Sequence, residues 1–169
     1  MKHYPGGFLA LVGANSPAGL ASRPIRILLA DEVDRYPESA GKEGDPLKLA
    51  VQRTQNFGNR KLLMVSTPTV VGYSKIHNEF LAGDQREFVV RCPECCQYNV
   101  HWESDDKGNV IESSVGLFCP HCGAKIRGPR KINPDILQSG RWEVRNPQGR
   151  FRSYHINALN SPWVNLVDL

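Results

Sequence analysis

The sequence predicts an α/β fold built on a parallel sheet, with a cysteine-rich module set into the chain. Short apolar runs alternate with a helical pattern, and parallel strands need a crossover that is most often a helix. The cysteines fall in two tight groups, a pattern that an ordinary α/β core does not require. A length of 169 residues suits one modest domain with a small appendage.

Phe8 to Val12 reads as a short apolar strand ended by Gly13, and Ala14, Asn15, Ser16 and Pro17 supply a turn and a helix start. Ile25 to Ala30 is a second apolar run that stops abruptly at Asp31 and Glu32. A strand buried on both faces, delivering two carboxylates at its C-terminal end, fits that pattern. Asp45 is placed to cap a helix whose first turn holds Pro46, and Leu47, Ala50, Val51, Thr54 and Phe57 recur at helical spacing until Gly58.

Leu62 to Val65 is the third apolar run, closed by Ser66, Thr67, Pro68 and Thr69. Ser74 is positioned to cap a further helix in which Ile76 and Phe80 share a face and Gly83 marks the end. Phe88 to Val90 leads as an extended segment into Cys92. Gly128, Pro129 and Arg130 read as the exit from the cysteine module, and Arg150 to Asn157 as a returning strand. The chain shows no internal repeat and no low-complexity stretch.

Apolar residues make up 40% of the chain and charged residues 22%, ordinary values for a soluble globular protein. No apolar run approaches the roughly 20 residues that span a bilayer, and Met1 to Gly7 lacks the apolar core of a secretory signal. A cytoplasmic address and no membrane partner are expected. The net charge of +4 leans toward anionic partners but falls short of a dedicated basic arm.

Five cysteines, an odd number, argue for a metal rather than disulfides in a cytosolic chain. Cys92 and Cys95 enclose Pro93 and Glu94, and Cys119 and Cys122 enclose Pro120 and His121 before Gly123. Each such turn aims two sulfurs at one point, and four thiolates satisfy the tetrahedral preference of zinc. The expectation is a closed structural zinc ribbon, with Asp105, Asp106, Lys107 and Gly108 turning the hairpin between the pairs. Cys96 is a bystander in this scheme, and neither His101 nor His121 is needed as a ligand. Binding worth on the order of 10 kcal/mol makes the folding of such a module depend on its metal.

Asp31 and Glu32 at a strand end match the needs of a nucleotide-hydrolysing site, where one carboxylate helps hold magnesium and another polarises the attacking water. Open parallel sheets bind ligands at that edge. Hydroxyl residues at the neighbouring strand end, Ser66 and Thr67, are suited to sensing the phosphate or the water. An apolar run before Asp-Glu is also how many strands end in solvent, so the pattern gains its meaning from context.

That context is the order of the segments ILLADEVDRYP, EGDPLKLAVQRTQNFGNRKLLMVSTPT, DQREFVVRCPECCQYNVHW and CPHCG. Together they closely resemble the GpA-type large terminase subunits of lambdoid phages, over nearly the whole chain. The resemblance implies an ATP-driven motor that packages viral double-stranded DNA, working with a small terminase subunit and the capsid portal in the bacterial host cytoplasm. It casts Asp31 as the Walker B magnesium ligand, Glu32 as the catalytic glutamate, and Ser66, Thr67 and Pro68 as the coupling motif. Asn15 to Leu20 resembles the stretch that precedes Walker B.

The implied fold is a partial P-loop NTPase-type parallel sheet with an inserted zinc ribbon. Its parts are a partial ATPase core at 1–90, the ribbon at 91–128 and a returning segment at 129–169. A loop of the form GxxxxGK followed by Ser or Thr is not found, and Gly72, Tyr73, Ser74 and Lys75 imitate only part of one. The family places its phosphate loop before residue 1 and its nuclease beyond residue 169, so this chain alone is expected to bind and hydrolyse ATP poorly. Two other readings stay open: a zinc-ribbon module that binds nucleic acid or protein without catalysis, and an inactive prophage remnant.

Arg141, Trp142, Arg145, Arg150, Phe151, Arg152 and Tyr154 mix cations with aromatics in a way that suits nucleic-acid contact. The simpler reading makes the aromatics inward residues of strands with arginine neighbours. Lys42, Glu43 and Asp45 read as loop and cap residues, and Arg53 as a salt-bridged surface residue.

Overall fold

The computed structural model of the protein describes residues 1–70, 72–99, 117–128 and 132–165. It is a mixed α/β structure of small sheets, and it divides into two compact units, Met1–Asn78 and Glu79–Leu169.

The first unit opens with a hairpin, β1 (Lys2–Tyr4) against β2 (Gly7–Leu9), antiparallel with His3 opposite Phe8. The apolar run expected as one strand over Phe8 to Val12 thus contributes only its first two residues. Gly6, at φ +85°, makes the turn that pulls the strand start back to Gly7. α1 (Pro17–Ala21) follows, its first turn fixed by the Ser16 hydroxyl, which accepts from the Gly19 amide at 3.3 Å.

β3 (Ile27–Asp31) pairs in parallel with β4 (Lys61–Val65), Ile27 opposite Lys61 and Asp31 opposite Val65. Between them lie a single 3₁₀ turn (Val33–Arg35) and α2 (Pro46–Gln52). The Asp45 carboxylate accepts from the Leu47 and Lys48 amides at 2.8 and 3.1 Å, the cap that the sequence signals. α2 stops at Gln52, short of the expected Gly58, and Thr54, fully buried, turns its hydroxyl back to the Val51 carbonyl at 2.8 Å. Arg53 donates to the Ala21 carbonyl at 3.3 Å and so ties α2 to α1; the expected salt bridge is not the contact it makes.

The core of this unit is small, with Ala30, Val33, Ala40, Pro46 and Ala50 buried. The parallel pair departs from the expectation of two buried faces. Ile27, Leu29, Leu62, Leu63 and Val65 are all exposed, Leu29 by 66%. Strands this apolar are characteristic of parallel sheets covered on both sides, and no described element of the unit covers these residues.

α3 (Lys75–Ala82) is capped by Ser74, whose hydroxyl accepts from the His77 amide at 3.0 Å. The division between the units falls inside this helix.

In the second unit β5 (Arg86–Arg91) is the hub. β6 (Tyr98–Asn99) pairs antiparallel with its end, and β7 (Leu117–Phe118) and β8 (Lys125–Arg127) form a separate antiparallel pair. After α4 (Pro134–Gln138), capped by Asn133, β9 (Arg141–Val144) runs antiparallel to β5 with Trp142 opposite Phe88. β10 (Tyr154–His155) runs parallel to β5, Tyr154 opposite Arg86. A 3₁₀ turn at Ala158–Asn160 follows. The returning strand is therefore shorter than the expected Arg150 to Asn157.

Glycine is required where chains approach closely: a Cβ on Gly140 would run into the Phe88 ring, and one on Gly83 into the Ser153 side chain. The core of the unit gathers Val90, Cys92, Cys119, Ile126 and Ile132, with Phe88, Ile136 and Leu137 packed around them. The expected hairpin turn at Asp105 to Gly108, His101, and the exit residues Pro129 and Arg130 lie outside the described residues.

Candidate functional site

Two sites stand out, one in each unit. In the first, the parallel register sets Asp31 opposite Val65, so the residues that follow each strand emerge side by side at one edge. Asp31 and Glu32 leave β3 there, and Ser66 and Thr67 leave β4. Asp31 and Glu32 are both exposed. Glu32 adopts a left-handed backbone, φ 54° and ψ 45°, which is uncommon outside glycine and reorients the chain at the strand end. The Arg35 amide then donates to the Glu32 carbonyl at 2.8 Å, closing the 3₁₀ turn. Burial, and the nearby charge of Asp31, push the Tyr36 phenol up from its ordinary range.

A residue the sequence did not single out organises this edge. The Asp34 carboxylate accepts from the Thr69 amide at 3.0 Å, the Thr69 hydroxyl at 3.1 Å and the Ile76 amide at 2.8 Å. The Asp34 amide donates to the Ser66 hydroxyl oxygen at 3.2 Å. Burial works to raise the Asp34 pKa, but the Ser74 hydroxyl, the Ile76 amide and both Thr69 donors more than offset it and hold the carboxyl below its usual range. The Asp34 carboxylate thus already takes an amide in the first turn of α3, next to the Gly72 to Lys75 segment that imitates a phosphate loop. Lys75 pairs instead with Asp45, at an ion-pair distance of 3.7 Å.

In the second unit the sulfurs of Cys92, Cys95, Cys119 and Cys122 lie within 4.8 Å of one another. Cys92 faces Cys122 and Cys95 faces Cys119, each at 3.7 Å. A zinc ion bound by four thiolates at about 2.3 Å sets its sulfurs about 3.8 Å apart by tetrahedral geometry, so the separations fit such an ion. The knuckles are shaped by the backbone: the Cys96 amide donates to the Cys92 carbonyl at 3.1 Å, and the Gly123 amide to the Cys119 carbonyl at 2.8 Å.

Four thiols this close cannot all ionise without a cation. Burial would raise Cys119, yet the amides of Cys122 and His121 bring it down to about 7. The Gln97 amide favours a Cys95 thiolate, but burial and the three other cysteines leave it pushed up to about 12. A bound cation inverts this balance and deprotonates its ligands. Cys92 and Cys119 are buried within the core, Cys95 is half-buried and Cys122 exposed. Cys96, exposed and with a left-handed backbone at φ 60°, is not a member of the group, and neither is the exposed His121.

The C-terminal aromatics stack edge to face, Trp142 on Phe88 at 5.3 Å and on Tyr154 at 4.9 Å between ring centroids. Trp142 and Tyr154 lie on strands and Phe151 in the bend before β10, and all three keep 37–49% of their surface rather than pointing inward. Arg86, Arg141 and Arg145 are paired with Asp84, Glu143 and Glu87, which uses cationic charge that a phosphate backbone would otherwise meet.

The fold and the two sites define a mixed α/β protein that carries acidic and hydroxyl residues together at the edge of a parallel strand pair, and a four-cysteine centre fit for a metal ion. The family model described as phage terminase large subunit gpA, ATPase domain, matches residues 1–142, and the chain belongs to that family. No curated protein and no solved structure matches it. Among the described residues no helix is long and apolar enough to cross a membrane.

Proposed function

We propose that this chain is the Walker B and coupling portion of an ATP-driven DNA-packaging motor. Asp31 would help hold magnesium, Glu32 would polarise the attacking water, and Ser66 and Thr67 would pass the state of the site onward. The observation that carries this reading is the register of β3 and β4, by which two carboxylates and two hydroxyls leave neighbouring parallel strands at one edge.

Magnesium fits the carboxylates; the rest of the nucleotide needs a cradle of amides and a lysine that the described residues do not supply. The uncovered apolar residues of β3 and β4 agree with a partial P-loop NTPase-type sheet that other strands and helices complete. Residues 1–90 would belong to this ATPase core, 91–128 to a zinc ribbon that is structural rather than catalytic, and 129–169 to a segment returning to the core. Double-stranded DNA, the small terminase subunit and the capsid portal are the partners such a motor engages, in the host cytoplasm.

Replacing Glu32 by Gln in the full-length terminase is the direct test. Hydrolysis of ATP is expected to fall to background while fold and zinc content stay unchanged. Hydrolysis at the parental rate would instead favour a zinc-ribbon binding module, for which the four gathered cysteine sulfurs are the supporting observation.

A further inference from the structure

Asp34 lies two residues beyond Glu32, and its hydrogen bonds all run to segments distant in the chain. Thr69 is 35 residues on and Ile76 is 42 residues on, while Ser66, which receives the Asp34 amide, is 32 residues on. One side chain and its own amide therefore fasten the 3₁₀ turn after β3 to the exit of β4 and to the first turn of α3. Hydrogen bonds to an ionised acceptor are about twice as strong as neutral ones, and a helix N-terminus adds its partial positive charge.

The other end of that turn is Glu32. Its carbonyl accepts the Arg35 amide, and its left-handed backbone leaves little freedom to rotate alone. A backbone change at Glu32 that moved the turn would pull Asp34 from Thr69 and Ile76, unless those segments moved with it. Three elements are thus joined at one residue, and rotation of any one of them is felt by the other two.

We propose that Asp34 is a positioning residue that links the Glu32 carboxylate to the Ser66 to Thr69 segment and to α3, so that a change of state at the carboxylate shifts all three together. This rests on the reading of Asp31 and Glu32 as nucleotide-site residues. Asp34 has no contact with nucleotide in this scheme: its oxygens are occupied by donors of the chain itself.

The experiment compares Asp34→Asn, Thr69→Val and Glu32→Gln in the full-length terminase. It measures kcat and KM for ATP, together with the length of DNA packaged per ATP hydrolysed. Asn at position 34 turns a donor toward the donors of Thr69, and Val at position 69 removes one hydroxyl and leaves the backbone amide in place. For Asp34→Asn, KM is expected to stay within about twofold while kcat falls about tenfold or more, with less DNA packaged per ATP. Thr69→Val should show the same split at smaller size.

If Asp34→Asn lowers only the melting temperature and leaves kcat and DNA per ATP unchanged, Asp34 serves the fold alone and the proposal fails. A large rise in KM would make it a nucleotide or metal contact, which also overturns it. Should Asp34→Asn not fold, Thr69→Val decides by the same criteria. Parental hydrolysis in Glu32→Gln would bring down the underlying nucleotide-site reading, a result distinct from any outcome at position 34.

Discussion

The parallel pair β3–β4 and the cysteine centre solve the same problem of burial in opposite ways. Around the cysteines, Val90, Ile126 and Ile132 are buried together with two of the four thiols, so this core closes on itself once a cation is held. In the parallel pair, five apolar side chains face solvent, and the residues buried nearby are few: Ala30, Val33, Pro46 and Ala50. A metal concentrates stabilisation in a few residues, whereas a parallel strand pair needs layers on both faces before its apolar side chains count.

Removing the metal should break this contrast most severely. A chelator, or Cys119→Ser, is expected to remove stabilisation on the order of 10 kcal/mol from the cysteine core and to leave the helices of the first unit formed. Metal analysis combined with amide exchange along the chain reads both. Full zinc occupancy in Cys119→Ser would end the four-thiolate assignment.

The first unit should answer to acid instead. Asp34 is held below its unfolded pKa of about 3.9, so its stabilisation is fully present above that pH and is lost as pH falls through the folded value. Asp34→Ala is expected to cost roughly 2–3 kcal/mol at neutral pH, the worth of a charged acceptor with its donors left unpaired, and to flatten the acid limb of the stability curve. An unchanged acid limb would remove Asp34 from that role.

Three smaller changes sharpen the difference. Gly140→Ala drives a methyl into the Phe88 ring beside the cysteine core and should destabilise the second unit by about 1–3 kcal/mol in a thermal melt. Asp45→Ala removes the cap of α2 and should cost about 1 kcal/mol in the first unit. Least of all, Leu29→Lys should change the melting of this chain by no more than about 0.5 kcal/mol, because Leu29 is exposed. A loss of several times that size would mean that the face is covered in solution by another copy of the chain.

What the sequence made legible was local. The Asp45 and Ser74 caps, the strands ending at Asp31 and Val65, and the gathering of four cysteines all follow from residues a few positions apart or from a fixed ligand chemistry. The first strands lie earlier than the Phe8 to Val12 run suggests because Gly6, which permits the β1–β2 turn, lies just outside that run. α2 ended early because the buried Thr54 bonds back to Val51. The role of Asp34 is not legible in the sequence because a third carboxylate in the string from Asp31 to Asp34 is chemically no different from its neighbours. Its partners, Ser66, Thr69 and Ile76, come from beyond the next strand. The only hint was a hydroxyl-rich strand exit followed by a capped helix, a place where donors gather and an acceptor is wanted.

Glu32 holds a backbone shape that glycine would occupy with ease, and a side chain there costs the fold roughly 1 kcal/mol. The position is therefore one where folding and chemistry ask for different residues. On the proposed reading, Glu32→Gly in the full-length terminase should melt slightly higher than its parent and lose ATP hydrolysis, so a search for sturdier variants by thermal stability alone would favour losing that activity.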